Sequence, residues 1–264
     1  TCTASFDSGL TASAESEFDV GWTEQTYGIN AEIGYDSDTY SCSIRAYCAD
    51  EGHKLIPGVT LAIYRRDYTG ELIEIASGLD NSSYTYVTDP HPALDYGRYR
   101  IVATEVATGA VSYYDVPPYP IKETSIIIQW EETWDNLVTE GLNERDIVME
   151  PLWSGSLVKL PYNIDVSDKN GVDVSLVEYI GRKRPVSYYG TQLGETSSWK
   201  TEIPRGDIDT LYALRRLAVY TGDVYIREPS GTGYWANVAV SISQTHCEVK
   251  IPVSFDITRV EGGI

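Results

Sequence analysis

The stretch "CEVKIPVSFDITRV" (247–260) constrains the fold more than any other. Cys247, Val249, Ile251, Val253, Phe255 and Ile257 share one phase; Glu248, Lys250, Ser254, Asp256 and Thr258 share the other. Successive side chains of a strand point to opposite faces, so this period of two marks a half-buried strand. A slip of one residue would turn the whole apolar set to solvent, so the register must be fixed by a core. Pro252, on the outer phase, points to an edge or a bend. The preceding stretch "YWANVAVSIS" (234–243) alternates in the same way, with Tyr234, Ala236, Val238, Val240 and Ile242 in phase.

The same signature recurs upstream. "YSCSIRAYC", "GVTLAIYRR" (58–66), "ELIEIA" (71–76), "SSYTYVT" (82–88), "GRYRIVATEV" (97–106) and "AVSYYDV" (110–116) read as six short strands, the last two joined by the hairpin signal "ATG". Spaced turns between short strands suit a β-sandwich of about a hundred residues. Composition agrees: 21 tyrosines stand against 1 methionine, and β-branched residues fill the apolar runs. Residues 1–38 are polar and turn-rich and read as a linker or an extra strand, with Phe18, Val20 and Trp22 in phase; 39–118 is the sandwich. "DVPPYPI" (115–121) carries three prolines in four residues, which suits a stiff boundary and no central strand.

A second β domain then covers 119–264. "TSIIIQW" (124–130) is its first strand, and "ETWDNLVTEGLNE" (132–144) is ambiguous between a short helix and an irregular excursion. "LVKLPYNIDVS" and "GVDVSLVEYI" (171–180) read as two strands joined by a "DKNG" turn, followed by "PVSYYGT" (185–191) and "SSWKTEI" (197–203). "GDIDTLYALRRLAVY" (206–220) is a helix near 207–220. Asp207 or Asp209 caps it, Leu211, Leu214, Leu217 and Ala218 form its face, and Gly222 ends it. "DVYIRE" (223–228) is again a strand. "REPSGTGYW" (227–235) resembles a phosphate loop in composition, but a strand follows it where such a loop needs a helix N-terminus. It reads as a hairpin, leaving Trp235 on the outer phase at a subunit or domain contact.

A net charge of −19 repels phosphate backbones, so nucleic acid is not an expected partner. No apolar run reaches the roughly 18 residues of a membrane span, and no secretory signal pattern is visible. Cys42 and Cys48 lie on one phase of one strand, about 20 Å apart, too far to bridge, and read as buried thiols in a reducing compartment. Cys2 and Cys247 add no CxxC pattern, and adjacent His246 and Cys247 point to opposite faces, so no metal centre is expected. "YDSDTY" places Asp36 and Asp38 as in a calcium loop but lacks the later glycine and glutamate. His53, His91 and His246 lie in loops or turns, and no GxSxG elbow is present, which argues against a serine hydrolase. Paired carboxylates for a glycosidase would come from Glu131, Glu132, Asp135 and Asp146. Neither a catalytic residue nor a cofactor is expected.

Two resemblances add to this reading. Leu94, followed by Tyr99, Ile101 and Ala103 in alternation, resembles the late strands of fibronectin type III and related immunoglobulin-like modules, which implies a sandwich and no particular activity. Gly181, Arg182, Pro185, Val186, Arg227, Pro229, Gly231, Val253 and Val260, spread over 179–260 with one helix between the strands, are similar in order to the C-terminal β-barrel module of tail proteins of long-tailed bacteriophages. That resemblance implies a sandwich or barrel with one packed helix that assembles into rings.

The expectation is thus a mainly β chain, with an immunoglobulin-like sandwich followed by a second sandwich or barrel carrying one packed helix. It would act without catalysis as a structural component of a phage tail or baseplate, located in the virion and assembled in the bacterial cytoplasm. Its partners would be copies of itself in a ring, other tail proteins and a host-surface glycan. Arg182, Lys183 and Arg184 of the basic "GRKRP" cluster, with Arg227 and Trp235, are the interface candidates. The alternatives are a carbohydrate-binding or adhesion module of a bacterial surface protein, suggested by the tryptophans and the "YY" pairs, and a glycoside hydrolase domain.

Overall fold

The computed structural model describes residues 2–5, 11–14, 28–133, 156–177, 180, 184, 186–243 and 249–261. The fold is mainly β, with one helix among the described residues. The chain divides into two compact units, Thr1–Pro92 with Gly97–Tyr119 and Ala93–Tyr96 with Pro120–Ile264.

In the first unit, β1 (Cys2–Ser5) and β2 (Thr11–Ala14) form a small antiparallel pair. The sandwich follows from β3 (Gly28–Asp36), β4 (Ser41–Ala49), β5 (Val59–Arg66), β6 (Leu72–Asp80), β7 (Thr85–Asp89), β9 (Tyr99–Glu105) and β10 (Val111–Asp115), while β8 (Tyr96–Gly97) and β11 (Tyr119–Pro120) each straddle a boundary of the division into units. One sheet has the order β3-β4-β7, the other β10-β9-β5-β6, and β8 pairs with β11 separately. Cys42, Ile44, Ala46 and Cys48 of β4, Val59, Leu61 and Ile63 of β5, and Tyr99, Ile101 and Ala103 of β9 are buried, each set on one phase of its strand. Leu94, in the short Ala93–Tyr96 piece that groups with the second unit, is buried as well. Strand β3 pairs with β4 along its whole length, so the sandwich begins at Gly28, upstream of residue 39. The piece containing Phe18, Val20 and Trp22 lies outside the described residues.

Short-range chemistry closes the turns. Asp67 Oδ1 accepts from the N–H groups of Thr69 and Glu71 at 2.9 and 2.8 Å between β5 and β6. Gly109, at φ 72°, takes the left-handed position of the "ATG" hairpin. Asp36 Oδ1 accepts from the Asp38 N–H at 2.8 Å and caps the β3–β4 turn. Buried Asn81 ties two segments together: its Oδ1 accepts from Cys48 N–H at 2.9 Å, and its Nδ2 donates to the Cys48 and Ile56 carbonyls at 2.7 and 2.9 Å.

The second unit contains β12 (Ile126–Trp130), β13 (Ser156–Leu160), β14 (Ile164–Val177), β15 (Val186–Pro204), α1 (Ile208–Leu217), β16 (Val224–Arg227), β17 (Gly233–Ile242) and β18 (Lys250–Arg259). They form one sheet in the order β13-β12-β16-β17-β18-β15-β14. It is open, with β13 and β14 at its two ends, so the barrel alternative gives way to an open sheet with α1 on one face. Ile128, Trp130, Val158, Trp199, Leu214, Ile226, Val253 and Phe255 form the core between them.

Several local expectations are corrected. "DKNG" is no turn: β14 runs straight through it, with Asn170 opposite Glu195 and Gly171 opposite Gly194. Gly171 does not take the left-handed conformation that a tight hairpin turn requires. Residues 186–191 and 197–203, expected as separate strands, belong to one strand, β15. Helix α1 ends at Leu217 with Ala218 as its C-cap, before Gly222, because i→i−3 bonds from Val219 and Tyr220 tighten the exit. Ala218 faces solvent. Val249 is 81% exposed, because it precedes β18. Pro252 lies in a central strand. Its carbonyl faces the Ser243 N–H, one residue past the end of β17, so its missing N–H falls where that ladder has stopped.

Cys42 and Cys48 are both in the thiol form and fully buried. Burial pushes the Cys48 thiol up to about 11. We therefore expect neither to react with iodoacetamide at pH 8 in native protein and both to react in denaturant, as read by peptide mass spectrometry.

Candidate functional site

Helix α1 is fixed from both sides. Asp207 caps its N-terminus, accepting from the Thr210 N–H at 3.3 Å and from the Tyr162 hydroxyl. Leu211, Leu214 and Leu217 turn onto the sheet. Arg216, two residues from Leu214 and so on the other side of the helix, is also buried. Its Nε donates to both oxygens of Glu132, at 3.1 and 3.0 Å, and its Nη2 donates to Oε2. The Trp130 Nε1–H donates to Glu132 Oε1 at 2.9 Å. Glu132 is therefore a buried structural counter-ion, which removes it from the paired-carboxylate candidates. Glu131 is exposed, and Asp135 and Asp146 lie outside the described residues.

Breaking one side of a buried, hydrogen-bonded ion pair leaves an uncompensated charge, which costs about 3–5 kcal/mol. Arg216→Met should lose that much in urea unfolding, and Glu132→Gln combined with Arg216→Met should recover more than half of it.

The sheet face away from α1 carries Ile127, Gln129, Tyr225, Arg227 and Trp235. "REPSGTGYW" is the β16–β17 hairpin: the Glu228 N–H donates to Thr232 O at 2.8 Å, and Gly231 takes φ 89°. A Cβ at Gly233 would meet the Tyr225 hydroxyl at 2.8 Å, which accounts for the second glycine. Of the interface candidates, Arg227 is fully buried within the chain, and its Nη2 donates to Gln129 Oε1 at 2.8 Å. Trp235 is half-buried and meets the Tyr225 ring edge-on at 5.1 Å. Arg184 is exposed, and Arg182 and Lys183 lie outside the described residues. The structure thus places Arg227 and Trp235 on one face and does not join them to Arg184.

Strands β14 and β15 extend together into an arm. Strand β18 pairs with β15 only over Thr196–Pro204, whereas β14 continues along β15 to the pair Val177–Val186. Over Val186–Glu195, β15 has β14 as its one neighbour among the described residues. This two-stranded ribbon continues for about 20 Å beyond Gly171. Its base is marked by the Gly171–Gly194 pair and by a bulge between Val172 and Val174, where two steps of β14 face four of β15. Beside that base, Arg259 Nη1 binds Glu195 at 2.7 Å. The same guanidinium stacks 3.9 Å over the Tyr234 ring, whose hydroxyl donates to Glu228 at 3.1 Å. Burial, together with the Glu228 charge, raises the Tyr234 hydroxyl above its ordinary range. Val172 and Val177 are 45% and 39% exposed, and Ile180 is fully exposed. The segment joining the strands contains the basic "GRKRP".

The outer sheet face also has a polar concavity of about 880 Å³, lined among others by Asp165, Lys200, Glu202, Ser241, Lys250 and Ser254. Glu202 pairs with Lys250 at 3.0 Å with both side chains about 60% exposed, so its carboxylate is hydrated rather than screened from water like a tuned catalytic acid.

Sequence reasoning missed Arg216, Arg259 and the arm. Helical periodicity puts Arg216 on the solvent side, and only Glu132, distant in sequence, buries it. The one available signal for the arm was a pair of strand-interior glycines, 171 and 194, in otherwise β-rich sequence. No helix among the described residues is long and apolar enough to cross a membrane. The chain matches no protein-family profile and no curated protein.

Proposed function

We propose that the chain is a non-enzymatic structural component of a long-tailed bacteriophage tail or baseplate that assembles with copies of itself and with other tail proteins. The observation that carries this reading is the β14–β15 arm. A long two-stranded ribbon whose outer edges pair with no other strand among the described residues, and which exposes valines, is a template for adding strands from another chain. Its connecting segment places Arg182, Lys183 and Arg184 together in a chain of net charge −19, so the acidic surface of a neighbouring copy complements it. Head-to-tail contacts of this kind close into rings when the rotation between copies permits. The order of features from 179 to 260, similar to that of tail modules, supports the same reading.

Replacing 172–193 by Asn-Gly joins Gly171 and Gly194, which already face each other, through a tight hairpin. By light scattering at high concentration, the intact chain should form a defined multiple of its 29.3 kDa mass, and the shortened chain should remain at a single mass. An intact chain that stays monomeric, alone and with other tail components, would contradict the proposal.

A further inference from the structure

The outer face of the β3–β4–β7 sheet carries an aromatic cluster unrelated to the arm. In the antiparallel register, Glu32 lies opposite Arg45, and Arg45 opposite Tyr86. Residues directly opposite one another share a face, so these three form one cross-strand row. In the next row, Asn30 lies opposite Tyr47, and Tyr84 sits just before β7. The Arg45 guanidinium lies at the centre, 5.0 Å from the Tyr84 ring, 5.7 Å from Tyr47 and 6.0 Å from Tyr86. Its Nη2 pairs with Glu32, and its Nη1 donates to the Tyr86 hydroxyl at 3.4 Å. Tyr47 and Tyr84 meet edge to face at 5.2 Å. These contacts fix the arginine, yet Tyr84 remains 46% and Tyr86 65% exposed.

A scattered exposed ring needs no explanation, but two neighbouring rings held around a neutralised guanidinium do. The chemistry selects the ligand. Glu32 cancels the charge of Arg45, so an ionic ligand gains no net attraction, and the net charge of −19 repels polyanions. What remains is stacking area beside a carboxylate acceptor, guanidinium donors, a phenol and the Asn30 amide. A pyranose, with an apolar C–H face and a rim of hydroxyls, matches that set. Six side chains are also far fewer than the roughly 20–30 residues per side of a stable protein interface. We propose that this face is a saccharide platform for neutral pyranose chains, with Tyr84 and Tyr86 as the stacking rings and Asn30, Glu32 and Arg45 as hydroxyl partners. This assignment is independent of the arm and of how the chain assembles.

The test is calorimetric titration of the full chain with cellohexaose and chitohexaose, with a heparin fragment as the polyanion control. At least one neutral hexasaccharide should bind and heparin should not. Tyr86→Ala should weaken binding about tenfold, and adding Tyr84→Ala should abolish it, whereas Tyr86→Phe should retain most of it because the ring does the stacking. Tyr113→Ala, which removes a ring 59% exposed on the other sheet, should change nothing. The rings are exposed, so thermal unfolding should be the same in all variants. Failure of both neutral sugars to bind, or equal binding by the Tyr84/Tyr86 double variant, would overturn the proposal. Loss of self-association in that variant, in place of lost sugar binding, would do so too, by assigning the face to a second copy.

Discussion

Among the described residues, strand β15 has two neighbours along one half of its length and one along the other, and much of the second unit follows from this asymmetry. Over Thr196–Pro204 it lies between β14 and β18 and contributes Trp199 and Ile203 to the core. Over Val186–Glu195 it has β14 alone among the described residues. Every backbone N–H and C=O that leaves water must find a partner, and a two-stranded ribbon satisfies only half of its own. Among the described residues, the outer edges of the arm have no strand partner. The Gly171–Gly194 pair and the bulge mark the change of regime, and the Glu195–Arg259 ion pair holds the strand at that point.

Each unit is organised around one buried carboxylate. In the first, Asp89 accepts from Arg65 Nη1 at 2.6 Å, the Tyr99 hydroxyl at 2.8 Å and the His91 N–H at 3.0 Å. In the second, Glu132 accepts from Arg216 and from Trp130. In both, an arginine supplies the charge and an aromatic side chain inserts its polar end into the same group. Such pairs add little net stability over an apolar core but tolerate few alternative packings, because any other arrangement strands a charge. Asp89 ties the end of β7 to β5 and β9, and Glu132 ties the segment after β12 to the last turn of α1. In an acidic chain, burying these two carboxylates with their arginines also keeps charge repulsion out of the core.

The sequence made the strands legible because period two depends only on local pattern. Ile251, Val253, Phe255 and Ile257 face the core as their phase requires, and Tyr234, Ala236, Val238, Val240 and Ile242 do likewise. The start of α1 was legible through Asp207, and the "REPSGTG" hairpin through its glycines. Features decided by distant partners were not. "DKNG" has turn composition, but pairing with 194–197 keeps it extended. Pro252 reads as an edge residue until the end of β17 is known. Arg216 reads as solvated until Glu132 is placed. Tyr84 and Tyr86 fall in an ordinary alternating strand, and only the register beside Arg45 makes them a cluster.

Hydrogen exchange along 171–195, followed by mass spectrometry at low and high protein concentration, tests the central claim most directly. If the arm is an assembly element, its outward-facing amides exchange rapidly in dilute protein and become protected in the assembled state, while those of Thr196–Pro204 are slow in both. Equal exchange along the arm at both concentrations, in a sample shown to be assembled, would contradict the account.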